Sequence, residues 1–266
     1  LFPPNLLWSS VSGLVFTVNT LSNNHPAIAT GGGGVTISGG DNTTPSGVTL
    51  TYNIANNTFR DANGHAVLIV KSTDPGMFTG TFTNNTIGVA AIANSGSVAG
   101  DGIKLQSAGL GTFSATVTNN QIRQYNNFGI EMMTGGGASA MSGVFKAAVT
   151  GNTVSNPGTG GLPMNGIHLN GGTVPGDTYS ICVDIGGAGA LANTINGSGA
   201  NGGTDVRVRQ RQATTVRLPG YGGANNDDTA VQTYLTGRNG VAPTALSSNT
   251  VGSGGGGFVG GAACLP

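Results

Sequence analysis

The sequence predicts an all-β chain wound as a parallel solenoid, with a short helix capping its C-terminal end. Two alternating short motifs, a period-two apolar pattern and a composition rich in Asn, Thr, Gly and Val carry that reading. Gly makes up 49 of 266 residues, charged residues 8% and aromatics 6%, and the net charge is zero. So little charge argues against a disordered chain, and the lack of a three-residue glycine period argues against collagen. Such residues suit many short strands joined by tight turns.

The first motif reads IANNTF at 54–59, FTNNTI at 82–87, VTNNQI at 117–122 and VTGNTV at 149–154, with echoes LANTI at 191–195 and SSNTV at 247–251. The second reads DGIKL at 101–105, FGIEM at 128–132, NGIHL at 165–169 and, more loosely, TDVRV at 204–208. The key Asn falls at Asn57, Asn85, Asn120 and Asn152, so one repeat spans 28 to 35 residues. Short strands alternating at such a period mean stacked coils, each repeat being one turn.

Counting back from each key Asn gives inward rows Leu50, Phe78, Phe113, Phe145, then Tyr52, Gly80, Ala115, Ala147, then Ile54, Phe82, Val117, Val149. Phe59, Ile87, Ile122 and Val154 follow two residues after it. Stacking places each row as a column with a spacing of about 4.8 Å. The key Asn is expected at a fixed turn, where it tolerates a left-handed backbone and where stacked amides bond to one another.

The C-terminal part reads differently. DVRVRQRQATTVRLPGY at 205–221 holds Arg207, Arg209, Arg211 and Arg217, four of the ten basic residues. Arg207, Arg209 and Arg211 alternate with Val206, Val208 and Gln210, which puts the arginines on one outer face and the valines inside. NNDDTAVQTYLTGRNG at 225–240 reads as a short amphipathic helix. Asp227 or Asp228 suits its start, Thr229 with Gln232 a capping box, and Asn239-Gly240 its stop. Ala230, Val231, Tyr234 and Leu235 form its apolar stripe. The arginines are expected to dock this cap through Asp227 and Asp228, or else to bind an anionic ligand. Residues 1–47 then hold an N-terminal cap and first coil, 48–221 the coils, and 222–266 a C-terminal cap and tail. Cys182 and Cys264 match no metal spacing and are expected to form a disulfide, Cys182 facing outward between Ile181 and Val183.

Over about residues 48–210 the NNxI…GIxL alternation resembles the right-handed parallel β-helix of the pectin-lyase-like superfamily. The stretch from ANGGTDVRVRQ to GGGGFVGGAACLP looks like the ends of large secreted bacterial β-helix repeat proteins. The resemblance implies right-handed winding and a secreted or cell-surface setting. It is not specific for an activity, since lyases, hydrolases, phage spikes and bacterial surface passengers share the fold.

The residue at x in GIxL faces out, which lines up Lys104, Glu131, His168 and Arg207. Glu131 and His168 are a candidate general acid–base pair, or a surface charge ladder of little energetic weight. The first strand of each coil shows Thr79, Thr81, Thr83, then Ser114, Thr116, Thr118, then Lys146, Ala148, Thr150. That is a partial Thr-x-Thr array, either a possible ice-binding face or ordinary solvent-facing strand. Asp61, Asp74, Asp101, Asp177, Asp184 and Asp205 are scattered, and no two acids share an outward column, so two-carboxylate glycoside chemistry lacks a site. NGHAV at 63–67 and GIKLQ at 102–106 depart from the superfamily's hydrolase motifs GHG and RIK. His25 and His65 read as solvated turn residues, and Met132 as core filler.

The expected role is an extracellular structural or adhesive element, fibre-forming or surface-exposed, without catalysis. The alternative is a polysaccharide-acting enzyme (a lyase or glycoside hydrolase) or carbohydrate-binding β-helix, and ice binding is third. No metal or cofactor is expected. The expected partners are a second copy stacked end to end, the rest of a larger surface protein, or a polysaccharide. Neutral charge argues against nucleic acid, and no apolar run is long enough to span a membrane. The chain starts at Leu1 without Met or a signal peptide and reads as a mature product or a fragment of something longer.

Overall fold

The structure, a computed structural model, describes residues 10–22, 34–40, 47–239, 245–249 and 256–265. The apolar start at 1–8 and His25 lie outside the described residues. Five complete turns of three strands each follow one another. The first is β1 (Ser10–Thr17), β2 (Thr20–Ser22) and β3 (Val35–Gly39), and the second β4 (Thr49–Ala55), β5 (Thr58–Arg60) and β6 (Val67–Lys71). The third is β7 (Met77–Thr83), β8 (Thr86–Ile87) and β9 (Ile103–Ser107), and the fourth β10 (Thr112–Thr118), β11 (Gln121–Arg123) and β12 (Phe128–Thr134). The fifth is β13 (Val144–Thr150), β14 (Thr153–Ser155) and β15 (Asn165–Asn170). A sixth turn has β16 (Ser180–Ile185) and β17 (Val206–Gln210), with a single bridge at Thr194 in place of a middle strand. In the seventh, β18 (Thr215–Arg217) is followed by α1 (Asp228–Arg238) and β19 (Ala245–Asn249), and β20 (Gly257–Val259) then pairs on β18.

Like strands of successive turns stack into three sheets, of eight, five and seven strands. The named strands pair in parallel throughout. The ladders therefore run on both sides of the 48–221 span expected from the repeats. Irregular ends hide that continuity in sequence, because β18 and β20 are three residues each and β1 carries a register shift between Val11 and Leu14.

The inward rows are as the periodicity requires. Leu50, Phe78, Phe113 and Phe145 share one column, and all are buried. The rings of Phe113 and Phe145 stack with centroids 5.2 Å apart, and Phe59 stacks between Phe16 and Phe82. Gly80 is inward because its column neighbour Tyr52 needs the room: a Cβ there would lie 2.3 Å from the Tyr52 ring.

The turn after the first sheet divides two jobs between neighbours. Asn56, Asn84, Asn119 and Gly151 hold positive φ of 57 to 66°, the left-handed region that Asn and Gly tolerate best. The residue after each, Asn57, Asn85, Asn120 or Asn152, is buried and forms the ladder. In each rung, backbone N and Nδ2 both donate to the next Asn's Oδ1, at 2.9–3.0 Å from Asn57 to Asn193. Asn19 begins the ladder and Asn239 ends it, donated to by Asn193 Nδ2 at 2.9 Å. The echo SSNTV is thus no rung, for its Asn249 lies on β19 in the third sheet, and the last rung comes from Asn239 behind the helix.

The helix takes the place of the middle strand in the seventh turn. Asp227 is its N-cap, accepting from Ala230 N at 2.9 Å, so the expected Thr229–Gln232 capping box gives way to an Asp one position outside the helix. Thr229 and Gln232 instead lie within it and accept, through their carbonyls, from Thr233 and Thr236. Val231 and Leu235 are buried and Ala230 and Tyr234 pack partly on the core, as the stripe requires. Cys182 and Cys264 form a disulfide with Cα atoms 5.3 Å apart, Cys182 standing in the outer column between Lys146 and Arg217. No helix among the described residues is long and apolar enough to cross a membrane.

Candidate functional site on the outer face of the third sheet

Parallel register sets Lys104 beside Glu131, Glu131 beside His168, and His168 beside Arg207, each on a different strand of the third sheet. The next outer column holds Gln106, Met133, Asn170 and Arg209. The four residues aligned from GIxL therefore do form one row.

The row is not the solvated ladder that its outward position suggests. Glu131 and His168 are each only 3% exposed. Lys104 Nζ lies 2.8 Å from Glu131 Oε2, and the Phe128 ring sits on His168 with centroids 4.3 Å apart. Burial pushes the Glu131 carboxyl up, but His168 and the Lys104 ammonium outweigh it and hold the group at about 2. His168 Nδ1 is 3.7 Å from Glu131 Oε1, beyond a hydrogen bond, and Lys104 Nζ is the nearer partner at 2.8 Å. Burial holds the His168 imidazole below its usual range, and the charges of Arg207 and Arg209 add to that, against the opposing pull of Glu131. Among the described residues neither imidazole nitrogen has a hydrogen-bond partner.

His65 and Asp101 join this polar face, which the sequence reading missed. His65 keeps a side chain 28% exposed, and its Nδ1 lies 3.0 Å from Asp101 Oδ2. Asp101 is fully buried and accepts from Phe128 N and Asn127 Nδ2 through its other oxygen. Burial raises its pKa, and the charge of Glu131 raises it further while His65 opposes. Two acids thus do interact here, across neighbouring elements and not within one column. Both are buried, Asp101 at 0% and Glu131 at 3% exposure. Lys71 is a second surprise, turned inward at the end of β6. Its ammonium donates to the carbonyls of Asp74 and Leu110, and burial holds its pKa at about 8 against the raising effect of Asp74.

The arginines of β17 face outward between Val206 and Val208, which are both fully buried. Among the described residues no ion pair joins Arg207, Arg209 or Arg211 to Asp227 or Asp228. Arg211 Nη2 donates to Asn170 Oδ1 instead. The charges of Asp227 and Asp228 act on Tyr221, whose hydroxyl pKa burial raises first and they raise further. The helix is clamped by its own last turn: Arg238 pairs with Asp184 on β16 and donates to the carbonyls of Ile185 and Gly186. A cation there also complements the helix C-terminus. An arginine in the last helical turn is the signal that could have pointed to this contact.

The described residues contain no grouping of three or more His, Cys, Asp or Glu side chains fit to hold a metal ion. No family model, curated protein or solved structure matches the chain.

His168 gives this face a pH dependence. Its pKa lies below the unfolded value of 6.5, so the unfolded chain binds a proton that the folded chain refuses. Stability is then full above that value and falls as the pH drops below it. Melting temperature is expected to fall by about 2–5 °C per pH unit below 6.5, the effect of one proton. Glu131, held at about 2 against an ordinary 4.5, extends the loss as the pH drops between those values. Asp101, shifted upward, partly opposes it. His168→Gln should flatten the upper part of the melting curve against pH, and an unchanged slope would remove His168 as its source.

Proposed function

We propose that the chain is a rigid, non-catalytic structural or adhesive element of a secreted or cell-surface protein, a right-handed parallel β-helix of the pectin-lyase-like kind. The observation that carries this is the burial of the acid–base residues. Asp101, at 0% exposure, and Glu131, at 3%, pair with His65 and Lys104, and His168, at 3%, lies under the Phe128 ring. Long parallel ladders, a buried amide ladder and a disulfide, which persists in oxidising compartments, support a role in which shape and endurance matter.

The test is a turnover screen on polygalacturonate, alginate, heparin and neutral glucans, following unsaturated products and new reducing ends. No turnover above buffer is expected, and Glu131→Gln should behave as the parent. Turnover that vanishes in Glu131→Gln or His168→Ala would make the buried row a catalytic site and overturn the proposal.

A further inference from the structure

The neutral chain is not neutral everywhere. Its carboxylates are largely engaged close to home. Asp74 accepts from Gly47, Val48 and Gly76 N, Asp177 from Met141 and Val174 N, and Asp205 from Ser198 and Gly199 N. Asp61, Asp101, Glu131 and Asp184 pair with Arg60, His65, Lys104 and Arg238. Arg207, Arg209 and Arg211 have no ion pair among the described residues.

Arg207 and Arg209 stand two residues apart on β17, about 7 Å along the chain, and Arg211 follows just past its end. Partial burial pushes Arg209 and Arg211 below their ordinary range, and the charges of Arg211 and Arg207 add to that at Arg209, as that of Arg207 does at Arg211. Asp177 acts on Arg211 in the opposite sense, yet both its oxygens already accept backbone N–H groups. Among the described residues, the buried Nε atoms of Arg209 and Arg211 meet no hydrogen-bond acceptor. Arg207, Arg209 and Arg211 are each half-buried, and a guanidinium that reaches solvent suits an oxyanion. Asn170 holds Arg211 in place, and the Phe128–His168 stack lies beside Arg207 as an apolar ledge.

We infer that Arg207, Arg209 and Arg211 form a linear anion-binding strip whose ligand is an extended glycan carrying sulfate esters. The inference rests on the adhesive form of the proposed function and names what is held. A line of charges suits an extended chain more than a compact ligand. Neighbouring arginines about 7 Å apart can converge on one tetrahedral group, whereas a planar carboxylate is filled by a single fork. The zero net charge lacks the broad basic surface that a nucleic-acid backbone rewards.

The test measures binding of the disulfide-intact chain to heparin, polygalacturonate, dextran and a single-stranded oligonucleotide at low and moderate salt. Heparin is expected to bind best, with affinity falling as salt rises. Arg207→Gln, Arg209→Gln and Arg211→Gln should each weaken it by about fivefold, and the triple variant by about 50-fold or more. Arg209→Lys should keep part of the affinity, and Arg217→Gln on the first sheet should keep all of it. Circular dichroism and melting of each variant separate lost binding from lost fold. Tighter binding of polygalacturonate or the oligonucleotide, equal loss in Arg217→Gln, or no heparin binding at low salt would overturn the strip. Those outcomes would leave the non-catalytic reading standing, since it depends on turnover alone.

Discussion

Replacing Asn120 by alanine is expected to destabilise the solenoid by about 3–5 kcal/mol, the sum of a few orphaned buried polar groups. Asn120 is 1% exposed and sits in mid-ladder. Its Oδ1 accepts from Asn85 N at 2.9 Å and from Asn85 Nδ2 at 3.0 Å. Its Nδ2 donates to Phe82 O at 2.9 Å and Asn152 Oδ1 at 3.0 Å. Alanine would strip the Asn85 N–H of this acceptor and leave Phe82 O without this donor, where water cannot replace them. Asn120→Asp keeps the shape but removes the donors and sets a charge against Asn152 Oδ1, so it should be no milder. Asn119→Gly is the control: φ of 58° there suits glycine, and the change should be nearly silent. Solenoids need not unfold in one step, so amide exchange in the turns either side is the preferred readout together with urea titration. A loss below about 1 kcal/mol, within the range of one ordinary hydrogen bond, would show that the ladder guides register without holding the fold.

Breaking the Cys182–Cys264 bond by a double alanine substitution should cost about 4–5 kcal/mol in the chain-entropy model, for a sequence separation of 82 residues. The loss should be felt first at the C-terminal edge. There β20 pairs with β18 over three residues and contributes Phe258, which is 1% exposed. Without the bond that edge should open, protease should clip the tail before the inner turns, and the melting temperature should fall. Two alkylatable thiols in the unfolded, non-reduced chain would end this account, and so would equal protease resistance of the alanine variant.

Much of this architecture was legible in the sequence because a strand's side-chain period is local. Alternation alone sorted Leu50, Tyr52 and Ile54 inward and Arg207, Arg209 and Arg211 outward, and recurrence of NNT and GIxL fixed which residues share a column. Column membership also puts Lys104, Glu131 and His168 side by side. Tertiary structure decided how deep they lie. An outward side chain stays wet or becomes buried according to what its neighbours lay across it, and Phe128 and Lys104 cover this row. Asp101 reached His65 and the Glu131 field across loops of variable length, which no alignment of columns predicts. The last ladder rung, Asn239, follows Asn193 by 46 residues with a helix between, so the local motif is lost while the place in space is kept. The sequence alone determined register and facing, because these repeat every two residues. Depth, charge pairing and the docking of the cap through Arg238 and Asp184 depended on contacts between residues far apart in the chain, which form only when the turns stack.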